Sequence, residues 1–157
     1  SAPAAAAPVP PAPIPRQIAY IIGNEGCERF SFYAMRNILT AFLVTSLLAH
    51  LPESERPGAA KDVFHTFVIG VYFFPLLGGW IAARLWGKYR TIFWLSLVYC
   101  VGQGCLALFV DHAFGFYAGL FLIALGSGGI KPCISSFVGD QFDQTNKHRA
   151  KVVFDAF

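Results

Sequence analysis

The chain has 157 residues, of which 55% are hydrophobic and only 13% are charged, and its mean hydropathy is +0.53. Soluble globular domains carry charges on about 25% of their residues, so this composition excludes an ordinary soluble domain and indicates an integral membrane protein. The formal net charge of +3 is small and the basic residues are scattered, which argues against a nucleic-acid-binding protein.

Residues 1–15 form an Ala/Pro-rich tail, which we expect to be disordered or extended. Residues 16–157 are expected to form a bundle of transmembrane helices, because they contain apolar stretches long enough for a hydrocarbon core of about 30 Å. The spans are predicted at about 17–48, 62–85, 91–110 and 114–138, and a fifth begins near residue 150. The predicted fold class is therefore an all-α membrane protein.

The first predicted span carries ionisable side chains within an otherwise apolar stretch, GNEGCERFSFYAMRNILTAFLV. A charge at the centre of a spanning helix costs roughly 2.5–3.5 kcal/mol on insertion scales, so such side chains need partners or a water-filled cavity. Ionisable groups inside a membrane most often serve proton relays, ion pathways or substrate binding. In this span they are Glu25, Glu28, Arg29 and Arg36.

These charged residues and two aromatic residues share one face of the predicted helix. At 100° per residue, they fall within an arc of about 140°. Glu25 and Arg29 are also spaced to contact each other along the helix. A helix lying at the membrane surface, or a buried ion cluster with a structural role, would also account for this face. Its members are Glu25, Glu28, Arg29, Phe32, Tyr33 and Arg36.

Lys131 is a second unusual charge, because it lies in the apolar stretch IALGSGGIKPCISSF of the fourth span. We expect its partner to be a carboxylate of the first span, although its side chain could instead extend to the cytoplasmic interface. A carboxylate held by a cation stays ionised, and losing that cation favours protonation. Such a group of acids and cations can therefore couple proton binding to substrate binding.

Two side chains of the second span are further candidates. His65, near the outer end, has an imidazole suited to accepting a proton near neutral pH, or it lies at the membrane interface. Tyr72 follows two helical turns later, where its hydroxyl would line a cavity or belong to the core. The sequence contains no apparent nucleophile–base pair, metal-ligand spacing or phosphate-binding loop, so we expect no enzyme, no metal site and no cofactor.

Basic residues predict the orientation in the membrane. With the N-terminus in the cytoplasm, the outer loops contain only Arg56 and Lys61. The positive-inside rule then predicts a multi-pass protein of the cell membrane with a cytoplasmic N-terminus. The inner side holds Arg16, Arg84, Lys88, Arg90, Lys147, Arg149 and Lys151.

Three segments, in order along the chain, resemble a known family. EGCERFSFY at 25–33 is similar to the E-x-x-E-R-F-x-Y-Y-G signature of the proton-coupled oligopeptide transporters, within the major facilitator superfamily. GGWIAARLWGKYRTI at 78–92 resembles the family's loop between helices two and three, and GSGGIKPCISSFVGDQF at 126–142 resembles its helix-four signature. HTF at 65–67 is similar to the mammalian-type members.

The resemblance implies a fold of two six-helix bundles, of which this chain supplies part of the N-terminal one. It implies that the acids of the first helix, with Arg29 and Lys131, couple protons to transport. We add His65 to this set because its imidazole is suited to accepting a proton near neutral pH. The proton-coupling set is then Glu25, Glu28, Arg29, Lys131 and His65. The substrate-binding set is Arg29, Tyr33, Arg36, Tyr72 and Lys131.

The chain departs from the family pattern at three positions. Phe32 replaces the first tyrosine of the signature, which removes one hydroxyl, and Ala34 replaces its glycine. Ala83 stands where the loop motif G-G-x-x-A-D has an aspartate. In the family this aspartate holds the cytoplasmic gate, so its loss bears on gate stability.

The resemblance implies proton-coupled symport of di- and tripeptides, with protons, the peptide, the lipid bilayer and the C-terminal bundle of the same transporter as partners. Substrate sites of such transporters lie between the two halves, so we expect this chain alone not to transport. Two alternatives stay open: a proton-coupled transporter of nitrate or another small anion, and a non-transporting or truncated membrane subunit.

Overall fold

The computed structural model describes residues 13–142 and 147–155. Most of the predicted tail, residues 1–12, lies outside the described residues. The described parts contain no β-strand, which agrees with the predicted all-α class. Their helices are α1 (Arg16–Phe42), α2 (Arg56–Ile81), α3 (Lys88–Leu108), α4 (Ala113–Asp140) and α5 (Ala150–Phe154).

Among the described residues, α1 to α4 are long and apolar enough to cross a membrane. The helices α1 and α2 each continue into a π-helical turn, at Leu43–Leu47 and Ala82–Trp86. The second helix begins earlier than the expected residue 62, because Pro57 occupies its first turn, where a missing backbone N–H costs nothing. The described chain is thus a multi-pass membrane protein.

Helix α4 is the centre of the assembly, and most of its membrane-length segment is buried inside the protein. Close approach to α2 and α3 is possible because small residues face each other at the crossings. A β-carbon on Gly78 of α2 would overlap the backbone of Gly129 on α4, and one on Gly102 of α3 would lie 2.9 Å from the backbone nitrogen of Ile123. Glycine at these positions therefore sets the helix spacing.

Two hydrophobic clusters fill the interior. One joins Phe32 and Leu39 of α1 to residues of the other long helices, including Phe67 and Ala124. The second cluster includes Ile18, Leu95, Ile130 and Val153. Glu25, Glu28 and Arg29 lie in sequence between Ile18 of the second cluster and Phe32 of the first, so these charges sit at an intermediate depth of the bundle.

The turn between α2 and α3 brings basic residues to one end of the bundle. Gly87 has a φ of 79°, a left-handed conformation that glycine adopts without strain, and it lets the chain reverse directly into α3. Lys88 Nζ then donates a hydrogen bond of 2.6 Å to Asp140 Oδ2 at the end of α4. This ion pair ties the beginning of α3 to the end of α4.

Candidate functional site

An ion cluster occupies the middle of α1. Arg29 Nε donates a hydrogen bond of 2.7 Å to Glu25 Oε1, one helical turn away, and lies 3.0 Å from Glu28 Oε2. All three side chains are largely shielded, and Glu28 is only 8% exposed. The sequence-based pairing of Glu25 with Arg29 is therefore confirmed, and the structure adds Glu28 to the same guanidinium.

The two carboxylates of this cluster differ in their hydrogen bonds. The single Nε–H of Arg29 is directed at Glu25, so Glu28 receives only the electrostatic contact. Both oxygens of Glu28 are buried without a hydrogen-bond partner, as are Glu25 Oε2 and one terminal nitrogen of Arg29. A buried ionised carboxylate without hydrogen bonds is energetically costly, so Glu28 is the acid whose charge is least compensated.

Lys131 of α4 approaches the same cluster. The charges of Arg29, Glu28 and Glu25 all act on its ammonium group, but it forms no ion pair with any residue in 13–142 or 147–155. The lysine therefore lies near the charged face of α1, but within the described ranges it does not form the ion pair with a carboxylate that the sequence predicts, and the ammonium stays available to another anion. The position of α4, fixed by its glycine contacts, brings the lysine there.

A small recess opens beside the cluster between α1, α2 and α4. Its volume is about 70 Å³, enough for roughly two water molecules at about 30 Å³ each. Four predicted substrate-binding residues meet there, and Arg29 is the exception. The recess is lined by Phe32, Tyr33, Arg36, Val68, Val71, Tyr72 and Lys131.

The lining residues expose polar atoms at the mouth of the recess. Tyr33 and Tyr72 are 51% and 74% exposed. The guanidinium of Arg36 lies 5.3 Å from the centre of the Phe64 ring, a cation–π contact that leaves its charge without a carboxylate partner among the described residues. This surface therefore offers two cations and two aromatic hydroxyls.

His65 is not part of this arrangement. It is an exposed residue of α2, and it does not line the recess. Its ring contacts that of the adjacent Phe64 at 6.4 Å between centroids. A role in proton coupling for this histidine stays a prediction.

Residues that sequence reasoning did not select support the cluster from α3 and α4. The Tyr99 hydroxyl donates to the backbone oxygen of Glu28 at 3.4 Å and accepts a hydrogen bond of 3.0 Å from Gln103. Ser127 is fully buried, and its hydroxyl lies beside the Glu28 carboxylate without completing a hydrogen bond to it. The only sequence signal for these residues was their polarity inside apolar spans.

The three departures from the family motifs have different structural settings. Phe32 is 6% exposed and stacks on Phe67 of α2, with 5.9 Å between ring centroids. Ala34 is partly buried on α1, and Ala83 is exposed in the π-helical turn after α2. The phenylalanine thus exchanges a hydroxyl for a packing contact between α1 and α2.

A much larger cavity lies elsewhere, between α2 and α4, and has a volume of about 650 Å³. It is lined mainly by apolar residues such as Phe67, Phe73 and Leu120, and Asp62 is its one charged residue. None of the predicted site residues lines it. Its size therefore does not make it the candidate site, because the clustered charges lie elsewhere.

Comparisons with known proteins show which proteins this chain is similar to. The family model described as PTR2, the POT family, matches residues 89–157. Peptide transporter family 1 of Drosophila melanogaster is 47% identical over 139 residues, which cover 85% of this chain and 18% of that protein.

Two solved structures have similar folds. The crystal structure of the POT family transporter PepTSo matches with a TM-score of 0.90 and 68% identity, covering 92% of this chain and 29% of that one. The crystal structure of a proton dependent oligopeptide (POT) family transporter matches with a TM-score of 0.84 and 69% identity, covering 89% of this chain and 31% of that one.

The chain therefore spans less than a third of the length of the transporters it matches. The matches confirm the predicted fold class, which is part of the helical bundle of a major facilitator superfamily transporter. They also confirm the resemblance drawn from the sequence motifs. This chain belongs to the POT family of transporters.

Proposed function

We propose that this chain is part of a proton-coupled symporter of di- and tripeptides. The observation that carries the proposal is the buried cluster of Glu25, Glu28 and Arg29 beside the unpaired ammonium of Lys131. Ionisable groups at such a position in a membrane protein are energetically costly, and where they occur they usually serve a function. Relatives described as peptide and as proton dependent oligopeptide transporters support this assignment.

The cluster suggests how a proton would be linked to substrate. While Glu28 is ionised, its charge holds Arg29 and attracts Lys131. Protonation of Glu28 removes that negative charge, so Lys131 is released and Arg29 is held by Glu25 alone, and the two cations can then attract the carboxylate of a peptide. Binding then favours one of two arrangements of the helical bundles, and the bundles rock around the site to the other face of the membrane.

The recess provides only one side of a peptide site. Its 70 Å³ is far below the roughly 300–1,000 Å³ of ordinary ligand cavities. Transporters of this architecture bind substrate between two helical halves. We therefore propose that the C-terminal bundle of the same transporter completes the cavity, and that residues 1–157 alone do not transport.

The proposed location is the cell membrane, with the N-terminus in the cytoplasm. Lys88, Tyr89 and Arg90 begin α3 at the end of the bundle where α4 closes with Asp140. Positive charge at this end supports a cytoplasmic position under the positive-inside rule. An inward proton gradient would then drive uptake into the cell.

The test uses the full-length transporter reconstituted in proteoliposomes. An inward proton gradient should drive accumulation of a labelled dipeptide, and Glu28→Gln should abolish the dependence on the gradient, because glutamine cannot take up the proton. Exchange of dipeptide across the membrane without a gradient is measured in parallel. It reports whether the variant still binds and moves substrate.

The matched control is Glu53→Gln, which removes an exposed carboxylate of the loop between α1 and α2. It should leave gradient-driven uptake as in the wild type. The role of Glu28 is refuted if Glu28→Gln still accumulates dipeptide in proportion to the gradient. Wild-type proteoliposomes that show no dipeptide uptake would refute the peptide symport itself.

A small anion such as nitrate is the second candidate substrate, because the recess of about 70 Å³ would admit it unaided. Lys131 and Arg36 would bind it as they would a peptide carboxylate. Competition separates the two substrates. Excess dipeptide should suppress uptake of labelled dipeptide while excess nitrate does not, whereas uptake of labelled nitrate that excess dipeptide leaves unchanged would favour the anion transporter.

A further inference from the structure

Ser127 is a buried polar group whose role the motifs do not explain. It lies in the middle of α4 with 0% of its surface exposed. Its hydroxyl oxygen has no completed hydrogen bond, although serine hydroxyls in helices can bond to the carbonyl one turn before. A buried hydroxyl without a partner is unfavourable, and inside a bilayer no bulk water can replace the partner.

The neighbours of Ser127 in sequence fix the direction of its side chain. On one side, a β-carbon on Gly126 would lie 2.8 Å from Tyr99 Cβ of α3. On the other side, a β-carbon on Gly128 would lie 2.8 Å from the backbone oxygen of Val71 of α2. The helix α4 is thus held from both sides at this level and cannot rotate freely.

Held in this way, Ser127 faces α1. The carboxylate of Glu28 lies beside its hydroxyl, and both oxygens of that carboxylate, like the hydroxyl itself, are buried without a hydrogen-bond partner. An unpaired donor and unpaired acceptors therefore meet in a buried site. A hydrogen bond between them would satisfy both.

We propose that Ser127 is a positioning residue for proton coupling, whose hydroxyl donates a hydrogen bond to the ionised carboxylate of Glu28. This inference rests on the proposed function and adds a residue from α4 to the acids of α1. The hydrogen bond favours the ionised form of Glu28 and keeps it beside Arg29. When Glu28 takes up a proton, the bond weakens, so the contact between α1 and α4 depends on the proton.

Other charged and titratable groups also face Glu28, and their effects are distinct from that of Ser127. Helix α1 contributes Glu25 and Arg29, and α4 contributes Lys131. Helix α3 contributes the hydroxyl of Tyr99, and Cys100 lines the same groove as Glu28. Ser127 is the one whose hydroxyl can donate to the Glu28 carboxylate without carrying a charge.

The test measures gradient-driven dipeptide uptake by the full-length transporter as a function of pH. In Ser127→Ala, ionised Glu28 loses its donor and takes up a proton more readily. The midpoint of the pH profile should therefore rise by about one pH unit. Ser127→Thr keeps the hydroxyl and should restore the wild-type midpoint, whereas the exposed neighbour changed in Ser135→Ala should have no effect.

A second measurement does not depend on transport. Infrared titration of the purified transporter follows the carboxylic-acid band that disappears in Glu28→Gln, and Ser127→Ala should shift the midpoint of this band in the same direction. If Ser127→Thr does not fold, the shift of this band in Ser127→Ala still tests the role of Ser127. An unshifted band and pH profile in Ser127→Ala would overturn the role of Ser127, while wild-type uptake of dipeptide would still support the proposed function.

Discussion

At the scale of single residues, the main feature of the site is that one guanidinium contacts two carboxylates unequally. Glu25 accepts the hydrogen bond of Arg29, at 2.7 Å, whereas Glu28 is attracted only electrostatically to the guanidinium. The burial of Glu28 at 8% exposure removes water as an alternative partner. Two acids three residues apart on one helix are therefore suited to different tasks, one structural and one that exchanges a proton.

We predict that Lys131 binds the carboxylate of the peptide. Lys131→Gln should weaken dipeptide binding by roughly tenfold or more, because a hydrogen bond to a charged group contributes about 1.5–3 kcal/mol. Calorimetric titration of the full-length transporter measures the dissociation constant. The dipeptide is compared with its C-terminal amide, which lacks the negative charge.

The wild-type transporter should discriminate strongly between the acid and the amide, and Lys131→Gln should bind the two almost alike. Lys61→Gln is the matched control, since Lys61 is an exposed lysine near the start of α2. If Lys131→Gln keeps the full preference for the acid, the peptide carboxylate binds elsewhere.

The charged face of α1 could be predicted from the sequence because helical geometry alone determines which residues share a face. The cost of an unpaired charge in a membrane also predicts that Lys131 lies near that face, although the lysine forms no ion pair there among the described residues. The support from Ser127 and Tyr99 could not be predicted in this way. It depends on the rotation of α3 and α4 about their axes, which neutral side chains with small desolvation costs do not reveal.

At the scale of helices, the bundle is organised around α4 and its glycines. Gly126 packs against α3, Gly128 packs against α2, and Gly129 contacts both, so within about one helical turn these glycines let the two neighbouring helices approach the α4 backbone closely. Such packing replaces the hydrophobic effect, which does not drive helices together within lipid. The close approach brings Ser127 and Lys131 to the level of the α1 cluster.

The crossing of α2 and α4 predicts a sharp difference between two glycine substitutions. In Gly78→Ala the added methyl group would overlap the backbone of Gly129, which has no flexible side chain to yield. We expect a loss of about 1–3 kcal/mol in the free energy of unfolding, as for other overpacked interiors. Thermal denaturation of the full-length transporter in detergent measures this loss as a lower midpoint.

Gly104→Ala is the control within the same bundle, because a β-carbon there would meet nothing within 4 Å. Alanine favours a helix over glycine by roughly 0.5–1 kcal/mol, so this variant should be as stable as the wild type or slightly more so. Equal thermal midpoints for the two variants would show that the α2–α4 contact does not limit stability.

The spans could be located from hydropathy, but their ends required the structure. Pro57 fixes the start of α2, and the π-helical turns lengthen α1 and α2 beyond the α-helical pattern. A π-helical turn adds a residue to one turn of helix and leaves no simple trace in periodicity.

At the scale of the whole molecule, α1 stands out because it contacts α4 and α2 less extensively than α3 does α4. Only 17% of its membrane-length segment is buried among the described residues, against 56% for α4. Exposed aromatic residues such as Phe30 and Tyr33 lie on the same helix as the ion cluster. A helix with this combination is expected to find further protein contacts, which agrees with the proposal that another bundle completes the site.

The orientation of the whole bundle gives the last prediction. Single cysteines are introduced into a cysteine-free full-length transporter by Glu53→Cys, in the loop between α1 and α2, and by Tyr89→Cys, which is 68% exposed at the start of α3. A membrane-impermeant thiol reagent added to intact cells should label the first and not the second. The cysteines to be replaced in this chain are Cys27, Cys100, Cys105 and Cys133.

Permeabilised cells serve as the control, because both positions should then react. The physical reason for the expected sidedness is the excess of Lys and Arg at the end that contains Lys88 and Arg90, which resists transfer across the membrane during insertion. The opposite labelling pattern in intact cells would reverse the orientation. An inward proton gradient would then reach Glu28 from the end of the bundle that carries Lys88, and the direction of coupled transport would have to be reassigned.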